Sequence, residues 1–429
     1  MTSKTNKEKD PPPSFWQEFE WTEKEKDDVI QLLQKHQEKC DIIENAVTPQ
    51  RGQYIIDKYD KDAHKYWNNF YSSHETKFFK DRHYLNKAFP DEFGVVYANH
   101  GDQKGEEEKD KGGSINVDDD KMTKKVIDSD ENFTITEIGC GVGNTVLPLL
   151  ELDPFVITPV SKHNDDDGGG DDGDGNGNNV KNIEKDNQEI LLYQKRKLVV
   201  WGLDFSSVAI KFLKQDMRYI NATTVGNERA RAQVWDITST HPRDIITTAI
   251  QSSTSSCGIL EANDKNEDDH NNESQLKQKQ YCLESSSNIS LLLFVLSAIS
   301  PDKMAQAAKN VAASLKPGGI LLLRDYGRYD QAQIKLGMSR NKRLSDNFYV
   351  KHDGTRCYYF TLEDMKRLFG MGDKNCNKDD NTNTANNDEE EGAGLEVLDL
   401  KYVQRIYKNR ADDETRRRVW VQARFRKPL

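Results

Sequence analysis

The sequence predicts an α/β fold: a mostly parallel sheet with helices on both faces, preceded by a helical extension and interrupted by acidic inserts. Three observations predict it. From residue 133 onward, apolar runs of strand length alternate with helix-like stretches, the order that sets parallel strands side by side. One stretch, Ile135 to Leu150 (ITEIGCGVGNTVLPLL), runs from an apolar segment through Gly139, Gly141 and Gly143 into a helix start. Two later runs end in acids, Asp204 and Asp236, at the strand carboxyl ends where ligands of such sheets bind.

Composition separates what folds from what does not. Of 429 residues, 31% are charged and 35% hydrophobic, a polar balance concentrated in four stretches near 101–132, 161–190, 261–280 and 371–396. They hold too few large apolar groups to offset ordering entropy and are expected to be acidic, disordered inserts. Together they carry 14 basic against 34 acidic residues, so a chain of net charge −11 is +9 elsewhere. Residues 397–429 hold ten Lys and Arg against four acids, which points to an anionic partner. Cysteines 40, 140, 257, 282, 357 and 376 show no metal-ligand spacing with the histidines, so no metal is expected. The start, MTSKTNKEKDPPP, has no signal-peptide core and no apolar run reaches ~20 residues; a cytoplasmic, or also nuclear, location is expected.

In chain order, residues 1–14 read as a disordered tail and 15–100 as a helical, aromatic segment. Thr22 is placed to cap a helix. Trp67 and Tyr71, four apart, share a helix face. Core packing is the ordinary role of such a pair; stacking on a purine is the alternative. Lys80 and Arg82 flank Asp81, as surface ion pairs or as phosphate contacts. After an acidic linker at 101–132, the main domain spans 133–429. Phe133–Ile138 is its first strand and Asn144 opens a helix. Lys197 to Leu203 is a buried strand ending at Asp204, before a helix that Ser206 or Ser207 caps. Ala232 to Trp235 ends at Asp236, Ser290 to Leu296 is a central strand, and Pro301 to Leu315 a helix. Ile320 to Leu323 precedes Arg324 and Asp325. NFYVKHDGTRCYYF is a hairpin, Leu362–Phe369 a helix, and Leu395 to Ile406 and Val419 to Lys427 are closing strands, the last antiparallel.

The glycine turn suits close approach of a nucleotide-like ligand to a helix N-terminus, although such corners also occur without ligands. Asn144 stands where a dinucleotide fingerprint has its third glycine, which turns the expectation from nicotinamide towards S-adenosylmethionine. The usual acid follows the glycines by about 20 residues; here the insert at 161–190 accounts for the longer interval to Asp204.

The segments FFKDRHYL, EIGCGVGNT, GLDFSSVAI, FVLSAISPDKM, LKPGG, LLRDYGRYDQAQ, FYVKHDGTRCYYF and VQARFRKP, in that order, resemble the eukaryotic tRNA 3-methylcytidine methyltransferases. The resemblance covers nearly everything outside the inserts and the first few residues. It implies a Rossmann-like Class I methyltransferase with a seven-stranded sheet, S-adenosyl-L-methionine as cofactor, and cytidine 32 of a tRNA anticodon stem-loop as target. It implies that the cofactor contacts Glu137, Gly139, Gly141, Gly143, Asp204, Asp236, Ile237 and Leu293, with Trp67 and Tyr71 closing over it. A helper such as seryl-tRNA synthetase is implied by some relatives.

Cytosine N3 carries an in-plane lone pair, so its methylation needs alignment more than a general base. Ser297, Ala298 and Ile299 replace the Asn/Asp-Pro-Pro-Tyr motif of many exocyclic amine methyltransferases. The product ring is cationic, which makes Asp325 a catalytic candidate, with a cap or a pair with Arg324 as its structural alternative. Lys80, Arg82, Arg340, Lys342, Arg343, Arg416, Arg417 and Arg418 are candidates for the RNA phosphates. The rival readings are a methyltransferase of proteins or small molecules, and a non-catalytic RNA-binding scaffold.

Overall fold

The computed structural model describes residues 17–18, 20–44, 49–97, 123–159, 190–250, 278–372, 392–408 and 415–429. The tail at 1–14 and most of the four charged stretches lie outside these residues. The chain divides into two compact units, one of residues 1–82, 134–150 and 200–429, the other of residues 83–133 and 151–199.

The larger unit begins with three helices: α1 (Glu23–Glu44), α2 (Pro49–Lys61) and α3 (Ala63–His74). Thr22 starts α1 as expected. Its Oγ1 accepts from Glu25 N at 3.2 Å, and Glu25 Oε2 accepts from Thr22 N at 3.0 Å, a reciprocal cap. Seven strands follow: β1 (Phe133–Ile138), β2 (Ile190–Asp204), β3 (Ala230–Val234), β4 (Ser287–Leu293), β5 (Leu315–Tyr326), β6 (Glu396–Lys408) and β7 (Thr415–Arg426). Residues 134–138 of β1 and 200–204 of β2 belong to this unit. The strand order is β3-β2-β1-β4-β5-β7-β6, with Gln17–Glu18 added beyond β6.

The pairs β2/β3, β1/β4 and β4/β5 are parallel, while β5/β7 and β6/β7 are antiparallel. This is the Rossmann-like α/β sheet expected, mostly parallel with an antiparallel closing hairpin. All six residues of β1 are buried, as a central strand covered on both faces requires. The order reverses beside β1: its chain successor β2 lies on one side and β4 on the other. Such a switch point opens a crevice at the strand carboxyl ends.

Helices α4 (Val146–Leu150), α5 (Ser207–Gln215), α6 (Pro301–Ser314), α7 (Gln331–Gly337) and α8 (Leu362–Phe369) complete the unit's main elements. Ser206 caps α5, its Oγ accepting from Ala209 N at 3.2 Å, which settles the choice between Ser206 and Ser207. Thr361 and Asp364 form a capping box on α8. Helix α6 packs on β4 and β5, and α3 packs on α5. The expected hairpin joins Phe348–Val350 to Arg356–Tyr358, with Gly354 at φ +83° in the turn.

In the smaller unit, Thr123–Asp128 runs parallel to residues 190–195 of β2, and Phe155–Pro159 antiparallel to residues 193–197. Thr123–Asp128 (TKKVID) lies within a stretch that composition assigned to an insert; its β-branched residues find partners in β2. In the larger unit, Gln278–Cys282 likewise pairs antiparallel with Ile246–Ile250. Average composition hides short strands whose partners are distant in sequence. Among the described residues, no helix is long and apolar enough to cross a membrane.

Candidate functional site

The carboxyl ends of β1, β2, β3 and β4 meet helices α2 and α3 around a cavity of ≈ 440 Å³. That volume suits a small organic ligand. Ile138 and Gly139 line it from β1, Asp204 and Phe205 from β2, Trp235 to Thr238 from β3, and Phe294 and Val295 from β4; Trp67 and Tyr71 come from α3.

The glycine turn shows why its sequence is so restricted. Gly139 has φ +71°, and a Cβ there would lie 2.2 Å from Val295 Cγ2. Gly141, at φ +57°, donates its N–H to Asp204 Oδ2 at 2.7 Å and leaves room for the Tyr71 hydroxyl, which a Cβ would approach to 2.7 Å. Asp204 Oδ1 accepts from Ser206 N at 2.8 Å. Two N–H donors thus aim the carboxylate, and its remaining lone pairs can serve ligand hydroxyls at the cavity. Burial pushes the Asp204 carboxyl up to about 6 despite these two bonds. Asp236 accepts from Thr238 N at 2.9 Å, Thr238 Oγ1 at 2.7 Å and Ser239 Oγ at 2.9 Å. Asn310 Nδ2 holds the Ile237 carbonyl at 2.9 Å.

Trp67 and Tyr71 stack with centroids 6.1 Å apart and planes at 30°. They pack with Phe70, Val142 and Ala209, so the pair is both core and cavity wall.

Several expected contacts lie elsewhere. Gly143 meets Leu213 and Leu147 side chains, so its missing Cβ serves packing rather than the cavity. Leu293 is buried in β4 and does not line the cavity; the next two residues do. Glu137 is wholly buried outside the lining, its Oε1 bound to Arg82 Nη1 at 2.8 Å. Burial drives its carboxyl up to about 7, against the lowering effect of Arg82. Arg82 therefore faces inward, also reaching Thr145 Oγ1 at 3.1 Å, and holds the buried Glu137.

Asp325 is also fully buried outside the lining. It accepts from Ser297 N at 3.0 Å and Tyr326 N at 2.8 Å, and burial pushes its carboxyl up to about 6. It anchors the turn Leu296–Ala298, whose Ala298 does line the cavity, so neither the expected direct role nor the pair with Arg324 is what the geometry shows.

The basic candidates divide in the same way. Lys80 and Arg340 are exposed, and Lys342 is half-buried. Arg343 pairs with Asp346, and Arg417 with Glu25 at 3.1 Å. Arg418 Nε holds the fully buried Asp330 at 2.7 Å, a link from β7 to the cap of α7. Arg416 lies opposite Tyr407 in the β6/β7 ladder.

Sequence reasoning missed two groups. Phe78 and Phe79, 54% and 41% exposed, form an aromatic surface beside Lys80. Asp60, Ser300, Lys303 and Arg356 form a polar cluster on the cavity wall. An acid seven residues before Trp67 and the Arg of DGTR carry no local pattern that links them; only the fold joins them.

No family model matches the chain. A solved methyltransferase structure from Methanosarcina mazei is 16% identical, covers 70% of this chain and 95% of its own, and has a TM-score of 0.34. A Dictyostelium discoideum protein named O-methyltransferase 3 is 26% identical over 99% of this chain and 82% of its own. The zebrafish tRNA N(3)-cytidine methyltransferase METTL2 is 29% identical over 96% of this chain and 84% of its own. The mouse METTL2 is 30% identical over 406 residues, 86% of this chain and 76% of its own. With 30% identity over 86% of its length to that relative, the chain belongs to the tRNA N(3)-cytidine methyltransferase family.

Proposed function

We propose that this protein transfers a methyl group from S-adenosylmethionine to N3 of a cytidine in tRNA, at position 32 of the anticodon loop. The observation that carries the reading is the joint placement of Gly139, Asp204, Asp236 and the Trp67/Tyr71 pair around one cavity.

The donor set fits the cofactor. Asp204, aimed by two backbone N–H groups, is an acceptor for ribose hydroxyls. Ile237 and Val295 give apolar walls for a purine beside the polar Asp236 loop, and Trp67 and Tyr71 give aromatic faces. The missing Cβ at Gly139 admits a ligand close to the backbone. Bound there, S-adenosylmethionine supplies an electrophilic methyl group and leaves as S-adenosylhomocysteine.

The protein's task is then alignment. Cytosine N3 brings its own lone pair, so no side chain has to remove a proton before attack. Phe294 ends the β4 wall at φ +62°, a left-handed conformation costly for a bulky residue. Its ring lies 5.1 Å from Tyr326 and 5.9 Å from Trp420. We assign this aromatic corner to the flipped base, because extruded bases are held by stacking. Asp325 acts as a positioning residue through the turn it anchors. Lys80, Arg340 and Lys342 are assigned to the phosphates, with Phe78 and Phe79 beside an unpaired loop base.

The test incubates the purified full-length protein with labelled S-adenosylmethionine and total tRNA, with and without seryl-tRNA synthetase, followed by nucleoside analysis. The expected product is 3-methylcytidine from position 32. Label in another nucleoside, or in small molecules but not tRNA, overturns the assignment and favours the activity named for the Dictyostelium relative. A dependence on the synthetase establishes the helper.

A further inference from the structure

We propose that Asp60 is a positioning residue that latches the α2–α3 lid onto the core and thereby sets how long the cofactor stays bound. The proposal rests on the reading of the cavity as the S-adenosylmethionine site.

Asp60 sits in the last turn of α2, immediately before α3, the helix that carries Trp67 and Tyr71. Its carboxylate accepts from three side chains of remote segments. Ser300 Oγ donates at 3.0 Å from the N-cap position of α6, Lys303 Nζ from the first turn of α6, and Arg356 Nη1 at 2.7 Å from the second hairpin strand. All four residues line the cavity, so parting them opens it. Burial raises the Asp60 carboxyl, but Lys303 and Arg356 outweigh it and hold it below the ordinary carboxylate range.

Two details separate this cluster from an ordinary surface pair. Ser300 occupies the N-cap position of α6, yet its hydroxyl makes no cap there and turns to Asp60. The local helix gives up a stabilising cap so that the hydroxyl can reach the lid. The Arg356 side chain is only 7% exposed, and among the described residues Asp60 is the one carboxylate paired with it. Its other neighbours are the Ser300 hydroxyl at 2.7 Å and the Phe348 ring at 5.6 Å. Lifting the lid therefore leaves a nearly buried guanidinium without its counter-charge, which is unfavourable. Among the described residues, a further polar tie of the lid, Ser206 Oγ donating to Asn68 Oδ1 at 2.6 Å, involves no formal charge. Asp60 is thus the tie with the larger opening cost, and lid opening limits ligand exchange in many enzymes.

The experiment measures S-adenosylhomocysteine dissociation from the full-length protein by stopped flow. The variants are Asp60→Asn, Asp60→Glu, Lys303→Met, Arg356→Gln, and Asp60→Asn combined with Arg356→Gln. Asp60→Asn is expected to speed dissociation at least tenfold, with the association rate within threefold of wild type. Lys303→Met, altered at the exposed end of the latch, is expected to speed it about threefold, and Asp60→Glu, which keeps the charge, to stay near wild type. In the Arg356→Gln background, Asp60→Asn should add no more than about the threefold of Lys303→Met, since only Lys303 and Ser300 remain as its partners. A wild-type dissociation rate in Asp60→Asn overturns the latch, as does a full effect of Asp60→Asn on top of Arg356→Gln. If wild type binds and Asp204→Ala does not, while Asp60→Asn dissociates normally, the cavity reading stands and the latch alone fails. Absence of wild-type binding overturns both.

Discussion

At the scale of single residues, the glycine turn and the acid beside it make the sharpest predictions. Gly139→Ala places a methyl group 2.2 Å from Val295 Cγ2 at φ +71°. Left-handed backbone alone costs an alanine roughly 1–2 kcal/mol. Cofactor affinity is expected to fall at least tenfold and the melting temperature by several degrees, read by calorimetry. Asp204 makes the cofactor affinity depend on pH. Only its ionised form accepts from two ribose hydroxyls, and burial has pushed its carboxyl up to about 6. Affinity should hold above pH 7 and weaken as pH falls through 6. Asp204→Asn should be weak throughout and lack this dependence; an equal pH profile in both proteins would exclude Asp204 as its source. Glu137 bears on stability instead. Its folded carboxyl, at about 7, lies above the ordinary 4.5, so the native state holds more protons between those values. Its contribution is full below pH 4.5 and lost as pH rises towards 7, by roughly 3 kcal/mol. Urea unfolding of Glu137→Gln should show a flatter fall in stability over that window than wild type.

At the scale of elements, the start of β7 is less available to RNA than its three arginines suggest. Arg418 is committed to the buried Asp330 and Arg417 to Glu25. Reversing Arg416, Arg417 and Arg418 to Glu is therefore expected to lower the melting temperature as well as tRNA affinity. The cleaner test is Lys80→Glu with Arg340→Glu, both on exposed positions. This double variant should keep wild-type melting and cofactor affinity while tRNA binding weakens about tenfold or more at ~0.1 M salt. Unaltered tRNA affinity would remove these residues from the interface. The same comparison explains which site residues were legible. Gly139, Asp204, Asp236 and Ile237 stand at strand ends, where position along the chain already implies position in the sheet. Arg82 was not legible as an inward cation, because its partner Glu137 lies 55 residues away.

At the scale of the whole molecule, charge is segregated. The four acidic stretches carry −20 and the rest of the chain +9. If the basic remainder meets tRNA, log affinity should fall linearly with log salt, with a slope of about −0.7 to −0.9 for each phosphate contacted. Binding that is flat between ~50 and ~200 mM salt would show that charge is incidental to recognition. The charge balance of the full chain conceals this, because the four stretches and the rest of the chain have opposite sign.

The sequence by itself determined the alternating strands and helices, the parallel sheet, the glycine turn and the acids at successive strand ends. These follow from local periodicity and from the limited ways a βαβ chain can close. Tertiary structure alone decided which polar groups face the cavity and which are buried behind it. Glu137 and Asp325 both occupy strand ends, as Asp204 does, but successive strand residues point to opposite faces, and what lies on each face comes from distant segments. It also decided that Asp60, Ser300, Lys303 and Arg356 meet at one point, since polar contacts across 240 to 296 residues leave no trace in local pattern.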